Sequence, residues 1–467
     1  MPLWQKVSHA SSALFTIPLC FLGIGIQRAW SSFLFNPFLG EFNGQMLYAL
    51  GLLGLSCTSG ILAFAAPKIS PLSSSKRIVY FATAVTVVGT VLMLLPFKGS
   101  VLVLGIGMLA ALGGTGVSML VWCEFFARLN PSRVALVYSV AVVFGELIYY
   151  FLSDSTVERI WPLLVAAPII NTYFALKSIA KVEGKDVGWS GVKYTVPIQP
   201  VILMSAISFA GGFVSVSQSG NELVGLVSLS ATPVIIIIAA LFSLQKIQLD
   251  SIYIVAIPVV IIATALMPFM DESALPVAPV FNEMVFAFSD TTLAIMTMVV
   301  FSSISFRYGV DSLRMNGIER SVRFMLFSIG WAMGSALQSF DSGTAGLVEK
   351  VTMCLIAAVC LAIFLKNRHV FSRWGIYLNR DEEAGKGSIA LRSVVCEELG
   401  DAHSLTARER EVLLLLASER KNDEIAEALF IAPGTLKSHT SHIYTKLSVH
   451  SREELLDLIR EKEALLL

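Results

Sequence analysis

Residues 406–449 read TAREREVLLLLASERKNDEIAEALFIAPGTLKSHTSHIYTKLSV, a stretch in which short helices carry their own start signals. Thr406-Ala407-Arg408-Glu409 is a capping box, where hydroxyl and carboxylate each satisfy an orphan amide at a helix start. Val412, Leu413, Leu416 and Ala417 follow at helical spacing as one apolar face. A second helix begins near Asn422, with Asp423 and Glu424 in its first turn, where the helix dipole favours acids. It buries Ile425, Ala426 and Leu429. The turn Phe430-Ile431-Ala432 leads into a third helix from Pro433 to Leu447, and proline suits a first helical position. Leu436, Ile443 and Leu447 form its buried stripe. Ser451-Arg452-Glu453-Glu454 is a second capping box and opens a fourth helix carrying Leu455, Leu456 and Ile459. Four short helices with a tight turn between the second and third make a helix-turn-helix unit.

The unit resembles the LuxR/NarL/GerE-type domain. The resemblance rests on Leu405-Thr406-x-Arg408-Glu409-x-Glu411-Val412-Leu413 and Asn422-x-Glu424-Ile425-Ala426, then on Thr435-Leu436-Lys437-x-His439. It closes on Ile443-Tyr444-x-Lys446-Leu447-x-Val449 and Arg452, and covers about one seventh of the chain. Three positions depart from the family: its usual glycine before the second helix is Glu419, its Ser or Thr is Lys421, and its capping Ser is Ala432. The resemblance implies double-stranded DNA as partner, a third helix lying in the major groove, and pairing as a homodimer when active. Opposite the buried stripe stand Lys437, Ser438, Ser441 and Thr445. Lys437 suits guanine acceptors, and the serines can bond either way. Thr435, His439, Lys446 and Arg452, with Lys421 in the preceding turn, are placed to hold phosphates. Residues 404–467 hold nine Lys/Arg against eleven Asp/Glu, so the domain is not a basic patch overall. Distribution decides instead: from Phe430 to Val449 there are two lysines, two histidines and no acid.

Outward from this domain the composition changes. The whole chain is 55% hydrophobic and 15% charged, where a soluble protein carries about 25% charged residues. Apolar runs near the length needed to cross ~30 Å of hydrocarbon fall at 12–34, 44–66, 78–97, 101–122, 134–152, 161–178, 198–217, 227–245, 251–270, 280–303, 322–340 and 347–366. Twelve spans predict an all-α membrane domain over 1–366, a flexible cytoplasmic linker over 367–402 and the helix-turn-helix domain over 403–467.

With the N-terminus inside, the inner loops and tail hold fifteen basic residues, Arg314, Arg320 and Arg323 among them, against Lys98, Arg159 and Lys350 outside. This bias predicts a bacterial cytoplasmic membrane protein with both termini in the cytoplasm. A longer central loop, 179–197, divides the spans into two sets of six. The layout resembles the major facilitator superfamily, whose halves are parallel repeats around a central cavity. That family's Gly-x-x-x-Asp-Arg loop after span two is here Ala66-Pro67-Lys68-Ile69-Ser70-Pro71 through Lys76-Arg77, without the glycine or the Asp-Arg.

Ionisable residues within spans are functional candidates by default. Arg28, Glu146, Glu283 and Asp290 all fall at mid to outer depth, and the last two are seven residues apart on one helical face. They are expected to frame a ligand cavity, with an ion pair that closes the bundle as the plainer alternative. The six cysteines are scattered without metal or disulfide spacing, and no nucleophile-elbow, phosphate-loop or zinc pattern occurs. No enzyme activity, cofactor or metal is expected. Two functions remain open: a membrane-bound one-component regulator that senses a small molecule, and a secondary transporter with a regulatory DNA-binding tail. The altered loop after span two favours the first.

Overall fold

The computed structural model describes residues 17–35, 44–94, 100–129, 131–182, 198–214, 222–241, 278–308, 310–340 and 342–366, with short pieces between 257 and 269. Towards the C-terminus it describes 402–417, 422–429 and 432–466, with pieces between 395 and 400. Among the described residues the regular elements are helices and there is no strand. They fall into two compact units, one within residues 1–368 and the other within 369–467.

The first unit is a bundle of long apolar helices. Seven contain a stretch long and apolar enough to cross a bilayer: α2 (Gly44–Ile69), α3 (Lys76–Leu94), α4 (Val101–Phe126), α5 (Pro131–Ser153), α6 (Val157–Lys181), α9 (Ala278–Tyr308) and α11 (Ser342–Lys366). Three more, α1 (Gly23–Phe35), α7 (Ile198–Val214) and α8 (Glu222–Leu241), lie where further spans are expected. The ninth expected span, 251–270, lies largely outside the described residues, as do Lys185 and Lys193 of the central loop.

One span differs from its sequence reading. Helix α10 (Ser312–Leu337) begins at Ser312 and not near residue 322. Arg320 and Arg323, counted as loop residues by their charge, lie inside it and are buried. The physical reason is local pairing: Glu319 lies on the same helix and pairs with both inside it.

The packing of the bundle has an internal symmetry. Helix α2, the second span, packs against α10, the eleventh, and α5, the fifth, packs against α8, the eighth. A shift of six spans turns one pair into the other. Each half also contains a crossing that only glycine permits. A Cβ on Gly25 of α1 would strike the backbone of Ala141 and Gly145 on α5. In the second half, a Cβ on Gly212 of α7 would strike the backbone of Phe327 and Trp331 beside Gly330 on α10. Spans one and five thus cross as spans seven and eleven do. Small residues bring membrane helices into backbone contact, where dispersion replaces the missing hydrophobic drive.

The second unit contains α12 (Ala407–Ala417), α13 (Asn422–Ala428), α14 (Pro433–Leu447) and α15 (Arg452–Leu466). Its core is built from Val412, Leu413, Leu416, Ile425, Ala426, Leu436, Ile443, Leu447, Leu455 and Ile459, the apolar faces expected from spacing. Val395, Cys396 and Leu399 belong to the same core, although the sequence reading leaves them in the linker. The first capping box closes in both directions, and the second closes on Ser451 while its glutamate reaches one residue further back. The Thr406 amide donates to Glu409 Oε2 at 2.8 Å, and the Glu409 amide donates to Thr406 Oγ1 at 3.3 Å. In the second box the Glu454 amide donates to Ser451 Oγ at 3.0 Å, while the Glu454 carboxylate reaches the His450 amide at 2.7 Å.

Candidate functional site

Helix α14 sets the candidate nucleic-acid interface. Leu436, Ile443 and Leu447 turn into the core. Thr435, Lys437, Ser438, Ser441 and Thr445 are exposed, and His439 is half-buried. The helix starts with Pro433 after Ala432, whose side chain makes no cap. It ends at Ser448, held in the left-handed region at φ 56° while the Val449 amide closes back on Tyr444 O at 3.0 Å.

The two lysines of α14 stand in different surroundings. Lys446 Nζ donates to Glu409 Oε2 at 2.7 Å and to Ser404 O at 3.4 Å, tying the end of α14 to the start of α12. His442 Nδ1 stands 3.9 Å from the same carboxylate. The Lys446 ammonium, together with the Thr406 amide, holds the Glu409 carboxyl down at about 2. Lys437 is exposed on the opposite side, and no ion pair among the described residues engages it. Arg452 donates to Leu416 O at 3.1 Å and so satisfies a carbonyl at the end of α12. Two of the residues expected to hold phosphates, Lys446 and Arg452, therefore also hold the domain together. Lys421 lies outside the described residues.

In the membrane unit, the crossing of Gly25 and Gly145 brings Arg28 to Glu146. Arg28 Nη2 and Nε approach Glu146 Oε1 at 3.3 and 3.4 Å. The Glu146 side chain is 3% exposed and that of Arg28 is 21% exposed. Glu283 and Asp290 lie on α9, but their side chains fall outside the described residues.

Sequence reasoning missed a second charged group. Arg323 Nε meets Glu319 Oε1 at 3.0 Å, and Arg320 Nη1 meets Glu319 Oε2 at 3.5 Å. Arg320 Nη2 also reaches Cys123 Sγ of α4 at 3.7 Å. Close by in sequence, buried Glu124 accepts the amides of Leu72 and Ser73, the latter at 3.0 Å. Asp311 accepts from Ser70 Oγ at 2.8 Å and caps α10 through the Leu313 amide at 3.1 Å. The loop after span two, which lacks its own Asp-Arg, is thus held by acids from α4 and from the approach to α10. The signal was a glutamate and two arginines at helical spacing beside an apolar run.

Comparison with known proteins agrees with both units. Residues 403–459 match the bacterial regulatory proteins of the luxR family. The C-terminal domain is a luxR-type helix-turn-helix. It is 41% identical over 58 residues to the putative HTH-type transcriptional regulator YhjB of Escherichia coli, a match over 12% of this chain and 29% of that one. It is 43% identical over 61 residues to the oxygen regulatory protein NreC of Staphylococcus aureus, over 13% of this chain and 28% of the relative. The likeness is therefore of one domain, and the chain spans under a third of the length of these curated relatives. The helical bundle is similar to the proton:xylose symporter XylE, solved with 6-bromo-6-deoxy-D-glucose. The TM-score is 0.51 at 13% identity, over 77% of this chain and 96% of that one. At that identity the comparison establishes the fold, that of the major facilitator superfamily.

Proposed function

We propose that this chain is a membrane-bound one-component transcription regulator, in which a facilitator-fold domain senses a small molecule and the luxR-type domain binds promoter DNA. The observation that carries the reading is the outer face of α14. Lys437, Ser438, Ser441 and Thr445 are exposed together on a helix whose other side is core, in a stretch free of acids from 430 to 449. That is the face a recognition helix offers to the major groove. Thr435, His439, Lys446, Arg452 and Lys421 then contact phosphates, and two copies pair on the DNA. The basic bias of the inner loops puts both termini in the cytoplasm of a bacterial cell. The stretch between residue 367 and the core residues from Val395 on is too short to hold a phosphoacceptor domain, so the input comes from the membrane unit, through a cavity framed by Arg28, Glu146, Glu283 and Asp290. The matched families are regulators and transporters, which are generally not enzymes, and no catalytic role is assigned.

A fragment from residue 390 to 467, which includes Val395, Cys396 and Leu399, should fold and bind promoter DNA with an affinity that falls steeply with salt. Lys437→Ala in that fragment should relax base preference at a cost of about 1–3 kcal/mol. A folded fragment that binds no promoter of its own genome, even when artificially dimerised, contradicts the regulator reading. The fold likeness to a symporter over nearly its whole length favours transport as a second reading. Uptake of labelled solute into liposomes separates the two.

A further inference from the structure

Buried polar atoms without hydrogen bonds collect at the start of α10. They are Asp311 Oδ2, Asn316 Oδ1, both carboxylate oxygens of Glu319, and the Nε of Arg320 and of Arg323. Nearly all buried polar atoms in folded proteins are bonded, so this cluster marks an arrangement held at a cost. The charges do not balance either. Glu319 is one acid for two arginines, 3.0 Å from Arg323 Nε and 3.5 Å from Arg320 Nη1. The Arg320 side chain is 1% exposed, and it reaches Cys123 Sγ of α4 at 3.7 Å, a weak acceptor as a thiol. A buried charge without a full counter-charge is drawn towards water.

The edge of α10 that meets α2 is different. Ser56 Oγ donates to Ser321 O at 2.7 Å, and Ser328 Oγ lies 2.7 Å from Ala49 O. Gly317 brings the helices so close that a Cβ there would stand 2.9 Å from Ser59 O. Hydroxyls bonded to the facing backbone and a small residue at the contact are what hold membrane helices together. One edge of α10 is therefore bonded, and the other is not.

We propose that α10 is the moving part of the membrane unit. It rolls on its seam with α2 and lifts its charged edge from α4, so that Arg320 reaches water and Cys123 is uncovered. The role of this motion, to carry the signal, rests on the sensor reading above. The motion itself is observed without DNA, so either can fail alone.

The test labels the full chain in lipid nanodiscs with a water-soluble maleimide and follows the peptide that holds Cys123 by mass spectrometry. Cys123 has no exposed surface in the packed arrangement, so slow but measurable labelling is expected. Arg320→Met removes the surplus charge, keeps a long side chain and should slow labelling about tenfold. Glu319→Gln takes the shared acid from both arginines and should speed it about tenfold. Slowing is a gain of protection that a poorly folded variant cannot mimic, so Arg320→Met decides the matter should Glu319→Gln fail to fold. Buried Cys20 is the control, and its labelling should stay low in all three chains. A Cys123 that is never labelled, the result if bound water satisfies the cluster in place, overturns the proposal. So does labelling that Arg320→Met does not slow, or that rises only in step with Cys20.

Discussion

Lys446 meets Glu409 at 2.7 Å in the C-terminal unit, whereas Arg28 meets Glu146 at 3.3 Å in the membrane unit. The first pair has the short geometry of a charge-assisted hydrogen bond, and its carboxylate also takes the Thr406 amide. It is part of how the domain folds. The second pair is looser, and it sits at a helix crossing that the molecule builds twice. At the other crossing, Gly212 meets the backbone of Phe327 and Trp331 as Gly25 meets that of Ala141 and Gly145. A glycine that lets the facing backbone come close is common to both crossings.

The largest effect that could break this contrast is expected at the membrane pair. Arg28→Gln takes the arginine from buried Glu146, and breaking a buried ion pair by removing one partner costs about 3–5 kcal/mol. Arg28 is 21% exposed, so the lower end applies, and membrane abundance should fall several-fold. The double change Arg28→Gln with Glu146→Gln removes both charges and should restore abundance, while induction of a reporter stays lost. A double variant that is abundant and still inducible removes the pair from signalling. One that stays scarce makes it a structural clasp.

A smaller effect is expected at Glu409, in the 390–467 fragment. Its carboxyl lies at about 2 in the folded domain against an ordinary 4.5. The unfolded chain therefore takes up the proton first as pH falls, and the pair's contribution, complete above pH 4.5, drains away towards pH 2. Denaturant titrations across that window should show this loss, and Glu409→Gln should flatten it while costing about 2 kcal/mol at neutral pH. A variant as stable as the parent and equally sensitive to acid would mean that the short contact does not hold in solution.

The smallest effect sharpens the account of α14. Ala432 caps the helix without a side-chain hydrogen bond. Ala432→Ser should raise fragment stability by about 1 kcal/mol in thermal unfolding and leave base preference as it was. A changed preference would place residue 432 in the DNA contact.

What the sequence makes legible depends on whether the decisive contact is local. Thr406 with Glu409, Ser451 with Glu454, and the stripe of Leu436, Ile443 and Leu447 lie within a few turns of one another, so spacing is enough to find them. Val395, Cys396 and Leu399 form too short a run to show a period, and only the closed core reveals that they belong to it. In the membrane unit, hydropathy finds the apolar spans because the bilayer imposes one length on them. It fails at α10, where charge reads as a sign of water although Glu319 pairs with both Arg320 and Arg323 inside the helix. The pairing of Arg28 with Glu146 was open until α1 was seen to cross α5. The glycines that bring those helices together look ordinary until their partners are known.

The central claim, that this facilitator-fold protein acts on DNA through α14, is tested most directly by mapping bound DNA across the genome in cells. The cells would carry the full chain or its Lys437→Ala variant at equal membrane levels. The account predicts discrete promoter sites for the unchanged chain, and their loss or redistribution with Lys437→Ala. No enriched sites from an abundant membrane protein, or an identical set from both chains, would contradict it.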